Sequence, residues 1–226
     1  YEIRQTANAF NQMRTRIKRF LKQRTEMLAG VSHDLRTPLT RMKLQISLMK
    51  DEKAKSELEV DVNEMTSMLD SYVSFVKTES PEPIETIIIN ELIGDIVKTV
   101  EKNGIELTIK EKNTIQTSGR QIQLKRAFNN IIDNSQRYAK KIEIILYTNE
   151  KDCVIEFNDD GEGIPRDKYE DVFKPFFTLD PSRNKLKGES GLGLTITRDI
   201  IRSHGGDVKL SESNLGGLKL KVLLPL

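Results

Sequence analysis

From residue 1 to residue 79 the chain has one proline, Pro38, and one glycine, Gly30, and its apolar residues recur every three or four positions. Leu28, Val31, Leu35, Leu39, Met42, Ile46 and Met49 form one such series, and Leu58, Val62, Met65, Leu69, Tyr72 and Val76 form a second. That spacing puts each series along one side of an α-helix. The polar stretch Lys50 to Ser56 separates them, which predicts two antiparallel helices joined by a short loop. One hairpin would leave much of its apolar stripe in water, whereas two close a four-helix bundle, so a homodimer is expected. Ile3, Ala7, Phe10, Ile17 and Leu21 roughly continue the stripe upstream, so residues 1–23 are expected to be a helix feeding the hairpin.

Composition changes at Ser80-Pro81-Glu82-Pro83. Each proline bars its predecessor from helical backbone, and the remaining six prolines and twelve glycines all lie beyond residue 79. Strand-like runs at Ile87–Ile89, Ile105–Ile109, Lys141–Tyr147, Cys153–Phe157, Asp207–Leu210 and Leu218–Leu223 alternate with helical patterns at 91–102, 121–139 and 192–204. The reading is α+β: a dimeric helical hairpin over 24–80, then an α/β sandwich over 81–226 with helices against one mixed sheet.

Charge and rare residues exclude several functions. Lys and Arg number 36 against 34 Asp and Glu, a net of +2, whereas a dedicated nucleic-acid reader needs a lopsided basic surface. The single cysteine, Cys153, excludes an internal disulfide and a cysteine-ligated zinc site, and is read as a small buried apolar residue. No apolar run reaches the roughly 18–20 residues that cross a bilayer. The start, YEIRQTANAF, has neither a leader pattern nor an initiator Met, so the chain is expected to be a soluble piece of a longer protein.

Histidine chemistry must fall on His33 or His204. His204 lies in Ser203-His204-Gly205-Gly206 and reads as a cationic or hydrogen-bonded helix cap. His33 lies between the stripe residues Val31 and Leu35 and so points away from their face. Arg36 and Thr37 share its side, and Pro38 is expected to bend the helix one turn on. The string Ser32-His33-Asp34-Leu35-Arg36-Thr37-Pro38-Leu39 closely resembles the phosphoacceptor motif of two-component sensor histidine kinases. With Thr40-Arg41-Met42 it is similar to the EnvZ-type osmosensor kinases. The resemblance makes His33 the phosphoacceptor, Asp34 the carboxylate assisting it as base, and Thr37 a residue that orients water to hydrolyse a regulator's phosphoaspartate.

Four further motifs follow in order. The helical stretch Leu124–Tyr138 puts Asn130, Asn134, Arg137 and Tyr138 on one face, although asparagine is a poor helix former. An amide oxygen suits Mg²⁺ that is shared with phosphates, and the stretch resembles the N box of the GHKL ATP-binding fold, which implies Asn134 as metal ligand. Asp159-Asp160-Gly161-Glu162-Gly163 resembles the G1 box. Gly161 and Gly163 there let the backbone approach a flat ligand, and the resemblance implies that Asp159 holds the adenine amino group. Val172–Phe177 resembles the F box and also reads as an aromatic core cluster. Thr178–Gly188, with Arg183, Lys185 and Lys187, has the composition of a lid whose cations meet phosphates, and equally that of a surface loop. Ser190-Gly191-Leu192-Gly193-Leu194, just before a helix, resembles the G2 box, where exposed N–H groups attract an anion. Glu189 stands there in place of a usual glycine.

Together these imply ATP and Mg²⁺ as cofactors and a histidine autokinase. Its phosphate would pass to an aspartate on an OmpR-like response regulator, with no direct nucleic-acid contact. Ala7–Met13 looks like the end of a HAMP module, which implies the cytoplasmic part of a bacterial inner-membrane protein, its membrane spans lying outside this chain. A weakened signalling scaffold, favoured only by Glu189, and a GHKL ATPase without histidine transfer are the alternatives.

Overall fold

The computed structural model describes residues 2–76, 82–100, 105–179 and 191–226. The chain divides into two units, Tyr1–Ser80 and Pro81–Leu226.

In the first unit, helix α1 (Glu2–Ser47) runs without a break at residue 23 and continues through Pro38. Proline leaves the Asp34 carbonyl without its donor four residues on, and nearby the Thr40 hydroxyl donates to the Arg36 carbonyl at 2.9 Å. Helix α2 (Glu52–Val76) begins earlier than the polar stretch 50–56 suggests. The reason is Asp51, whose Oδ1 accepts the N–H groups of Lys53 (3.0 Å) and Ala54 (3.2 Å) and so caps the helix at its start.

The apolar stripe divides in two. Leu39, Ile46 and Val62 are buried between the helices, with Met49 and Leu69 against them. Val31, Leu35, Met42, Leu58 and Met65 stay exposed. A hairpin is only two helices thick, so it can cover one side of each stripe and leaves a second apolar line facing outward.

The second unit has a five-stranded sheet in the order β2-β4-β5-β7-β6: β2 (Glu106–Glu111), β4 (Lys141–Thr148), β5 (Asp152–Asp159), β7 (Leu218–Pro225) and β6 (Asp207–Glu212). Only β2 and β4 are parallel. A separate antiparallel ribbon joins β1 (Glu85–Ile88) to β3 (Gln116–Gly119), so the described residues form two sheets where one was expected. Helices α3 (Ile89–Val100), α4 (Gln121–Tyr138) and α5 (Gly193–Ser203) pack with these strands.

Alternation along β4 buries Ile142, Ile144 and Leu146. Phe157 of β5 meets Phe128 of α4 with ring centroids 6.0 Å apart. Full burial of such side chains contributes about 1.5–3 kcal/mol each, and this layer fixes α4 against the sheet. The start of α4 is held from elsewhere. The Glu82 carboxylate accepts the N–H of Ile122 at 2.5 Å and of Gln123 at 3.3 Å, while His204 Nε2 accepts the N–H of Arg120 at 3.0 Å. His204 is thus a hydrogen-bonded tie between the end of α5 and the start of α4, the second of the two expected readings. Its Nδ1 lies 2.7 Å from the Ile200 carbonyl.

Candidate functional site

Asp159 ends β5 and is 4% exposed. A carboxylate in such a place needs donors, and the surrounding backbone supplies them. Its Oδ1 accepts the N–H groups of Gly161 at 3.0 Å and Leu218 at 2.9 Å, and its Oδ2 accepts the Ser135 hydroxyl at 3.2 Å. The Gly217 N–H donates to the Asp159 carbonyl at 3.1 Å.

Glycines wall this carboxylate closely. A Cβ on Gly217 would overlap Asp159 Oδ1 and the Gly161 nitrogen, and one on Gly161 would lie 3.0 Å from the Tyr138 carbonyl oxygen. Gly163 takes a left-handed backbone, φ 71°, beside Gly217. Ser135 and Gly217 escaped the sequence reading. Ser135 follows Asn134 directly and faces the core of α4, so its polarity in a buried position was the available signal. Gly217 lies in what looks like an ordinary turn between β6 and β7.

Asp160 ties the neighbouring chain segments. Its Oδ1 accepts the N–H groups of Lys140 at 2.8 Å and Lys141 at 2.9 Å. The Lys141 backbone bond, with that of Lys140, holds this carboxyl below the usual aspartate range.

The N-box and G2-box residues meet through α4 and α5. Asn130 Nδ2 donates to the Gly193 carbonyl at 3.3 Å. Thr197 Oγ1 donates to that carbonyl at 2.9 Å and lies 3.3 Å from the Ala127 carbonyl. Asn134 is half-buried, Arg137 and Tyr138 are exposed at the end of α4, Leu194 is half-buried, and Leu192 is fully buried as a core residue. Gly191 has φ 63°, and its carbonyl accepts the Phe176 N–H at 3.0 Å. Phe173 is buried while Phe176 is exposed, so the aromatic segment is only in part a core cluster.

Lys187 and Ser190 lie outside the described residues, as do Arg183, Lys185, Glu189 and nearly all of the expected lid. In the first unit His33 belongs to α1, and its side chain lies outside the description; Asp34 and Thr37 are exposed on the same helix. Ser32, seven residues before Leu39, is 3% exposed with its hydroxyl unpaired.

The donor set suits a magnesium ion carried with phosphates. Among the described residues no three His, Cys, Asp or Glu side chains come together as a metal cage, and Mg²⁺ held with phosphates needs only one or two protein oxygens. The amide of Asn134 is such an oxygen. Cys153 is buried, and burial pushes its thiol up to about 12, so it is a packing residue.

Comparison with known proteins adds an independent line. Residues 23–80 match the His Kinase A (phospho-acceptor) domain, and residues 119–226 match the histidine kinase-, DNA gyrase B-, and HSP90-like ATPase domain. Sensor histidine kinase GtrS of Pseudomonas aeruginosa is 33% identical over 99% of this chain and 46% of its own length. Sensor histidine kinase CpxA of Escherichia coli is 32% identical over 96% of this chain and 50% of its own length. The chain thus spans about half the length of the curated relatives it matches. A mycobacterial sensor histidine kinase, MprB, superposes with a TM-score of 0.56 at 25% identity, covering 63% of this chain and 97% of that one. Full-length ShkA superposes with a TM-score of 0.67 over 89% of this chain and 46% of its own, at 17% identity, a likeness of fold alone.

Proposed function

We propose, from the phospho-acceptor domain match over residues 23–80 and the histidine kinase-type ATPase domain match over residues 119–226, that the chain is an ATP-dependent histidine autokinase in two-component signalling. The observation that carries this reading is the buried Asp159, held by the Gly161 backbone and Ser135, in the same chain as a helix that carries His33 within the phospho-acceptor match.

The motif resemblance supplies the roles. Asp159 accepts from the exocyclic amine of adenine, and the glycine wall admits the flat base. Asn130, Arg137, Tyr138 and the backbone of Gly191–Leu194 bind the nucleotide, the G2-box N–H groups facing phosphate, and the same motif resemblance assigns Lys187 and Ser190 to it. The amide oxygen of Asn134 would hold Mg²⁺, which would supply charge neutralisation at the phosphates. His33 attacks the γ-phosphorus: an N–P bond forms, the bond to the bridging oxygen breaks, ADP leaves with the electron pair, and the imidazole proton passes to Asp34. Positioning and charge do most of the work in such a transfer.

The phosphoryl group then moves to an aspartate of a response regulator, and Thr37 orients water for its later hydrolysis. The exposed line Val31, Leu35, Met42, Leu58 and Met65 supports a homodimer through the hairpin. Residues 1–23 are the end of a HAMP-type signalling helix, and the whole protein sits in a bacterial inner membrane with this part in the cytoplasm. Within the family, the EnvZ-type osmosensor and OmpR-like regulator readings rest on Ser32–Met42 alone.

Incubation of residues 1–226 with γ-labelled ATP and Mg²⁺ tests the reading. Acid-labile, alkali-stable label on the protein supports it. Tight ATP binding without label would replace it with a scaffold, and steady phosphate release without label with a simple ATPase.

A further inference from the structure

Two residues with left-handed backbone meet beside the G2-box glycines. Phe176 has φ 62° and Gly191 φ 63°, and the Phe176 N–H donates to the Gly191 carbonyl at 3.0 Å. A Cβ on Gly191 would stand 2.8 Å from the Phe176 carbonyl carbon. A non-glycine residue keeps such a backbone only where its surroundings over-determine it. The segment leading into Phe176 must therefore be held firmly against α5.

Arg198 of α5 does this holding. Its guanidinium lies over the Phe173 ring, 4.4 Å from the centroid. Its two terminal nitrogens reach the Glu170 carboxylate, Nη1 to Oε2 at 2.7 Å and Nη2 to Oε1 at 3.3 Å. That fork-on-carboxylate geometry fixes direction as well as distance, and lysine cannot reproduce it. Asp207 Oδ1 lies 4.0 Å from Nε and is itself bonded by Arg202 at 3.1 Å, so the inner nitrogen of the Arg198 guanidinium also faces a carboxylate. One turn back on α5, the Thr195 hydroxyl donates to the Phe173 carbonyl at 3.0 Å. Two side chains of one helix thus grip one aromatic residue, three positions before the strained Phe176.

We propose that Arg198 is a positioning residue for the nucleotide site. It clamps the 170–177 segment to α5, so that Phe176 and Gly191 stay in register. The proposal rests on the reading that the G2-box glycines hold ATP. Arg198 acts through Phe173 and Gly191 and touches no nucleotide. An Arg198–Glu170 pair that served only overall stability would leave ATP affinity unchanged once the protein is folded.

The test uses residues 1–226 as wild type, Arg198→Met, Arg198→Lys and Glu170→Gln. Two quantities are read: amide exchange at Phe176 without nucleotide, and ATP affinity against the labelling rate at saturating ATP. Arg198→Met should speed Phe176 exchange about tenfold and weaken ATP binding about tenfold, with the saturated rate changed less than about twofold. Arg198→Lys should recover part of the loss by keeping a cation over the ring, and Glu170→Gln should move both readouts the same way by less. Wild-type exchange and ATP affinity in both Arg198→Met and Glu170→Gln would overturn the clamp. Should Arg198→Met fail to fold, Glu170→Gln decides alone, since the Glu170 side chain is 78% exposed and its loss leaves the core intact. A wild type that binds no ATP defeats the nucleotide reading, while Phe176 exchange still judges the clamp.

Discussion

The Ser135 hydroxyl donates to Oδ2 of Asp159 across 3.2 Å, joining the core side of α4 to the end of β5. The two Oδ1 donors are backbone groups that mutation cannot remove, so Ser135 is the adjustable part of the Asp159 setting. A hydrogen bond to a charged group contributes about 1.5–3 kcal/mol. Ser135→Ala should therefore weaken ATP binding about tenfold or more in a fluorescence titration, with the fold retained by circular dichroism. Unchanged affinity would show that Asp159 needs no help from α4.

Glycine 217 should resist substitution for a reason of space. A Cβ there collides with Asp159 Oδ1 and the Gly161 nitrogen, and both belong to the site's own hydrogen-bond set. Gly217→Ala should cost about 1–3 kcal/mol in urea unfolding, as overpacking does, and should abolish measurable ATP binding. Gly94 is the control. It lies within α3 with nothing near its would-be Cβ, so Gly94→Ala should gain up to about 1 kcal/mol from helix propensity and leave ATP binding alone.

Thr37 is exposed on α1. Thr37→Ala should retain autophosphorylation and lose most of its dephosphorylating activity towards a phosphorylated regulator, followed by phosphate release. Equal loss of both activities would defeat the role assigned to it.

On the face of the sheet away from α4, Glu156 of β5 meets Tyr147, Lys219 and Lys221 at 2.9, 3.3 and 3.3 Å. Burial works to raise its carboxyl, but the hydrogen bonds from Tyr147 and the two lysines outweigh it and hold the group below the usual glutamate range. A folded-state value below the unfolded one gives stability that is present above the ordinary glutamate range, roughly pH 4.5. That stability disappears as pH falls through the lowered value. The melting-temperature gap between wild type and Glu156→Gln should be largest near neutrality and close as pH falls below the ordinary glutamate range. A gap that stays constant with pH would show the pair to be inert.

The parts of this molecule that sequence reveals are those with a local rule. The N-box helix has its period, and the glycine motifs keep their order along the chain. Strand β3 has no such rule: Gln116-Thr117-Ser118-Gly119 lacks apolar alternation and exists as a strand because it pairs with β1. The early start of α2 was hidden because Asp51 looked like loop, although its carboxylate is the cap. The division of the hairpin stripe into covered and open lines depends on how closely two helices approach, which periodicity does not contain. Gly217 and Ser135 became site residues only when β7 and α4 were brought to Asp159 from opposite sides in the sequence.

His33 should receive the γ-phosphoryl group of ATP bound at Asp159. The most direct test of that transfer compares wild type with His33→Gln, both as residues 1–226, in γ-labelled ATP and Mg²⁺. Wild type should acquire acid-labile, alkali-stable label, and His33→Gln should bind ATP equally well yet remain unlabelled. Equal labelling of the two proteins, or a wild type that binds ATP and never becomes labelled, would contradict it.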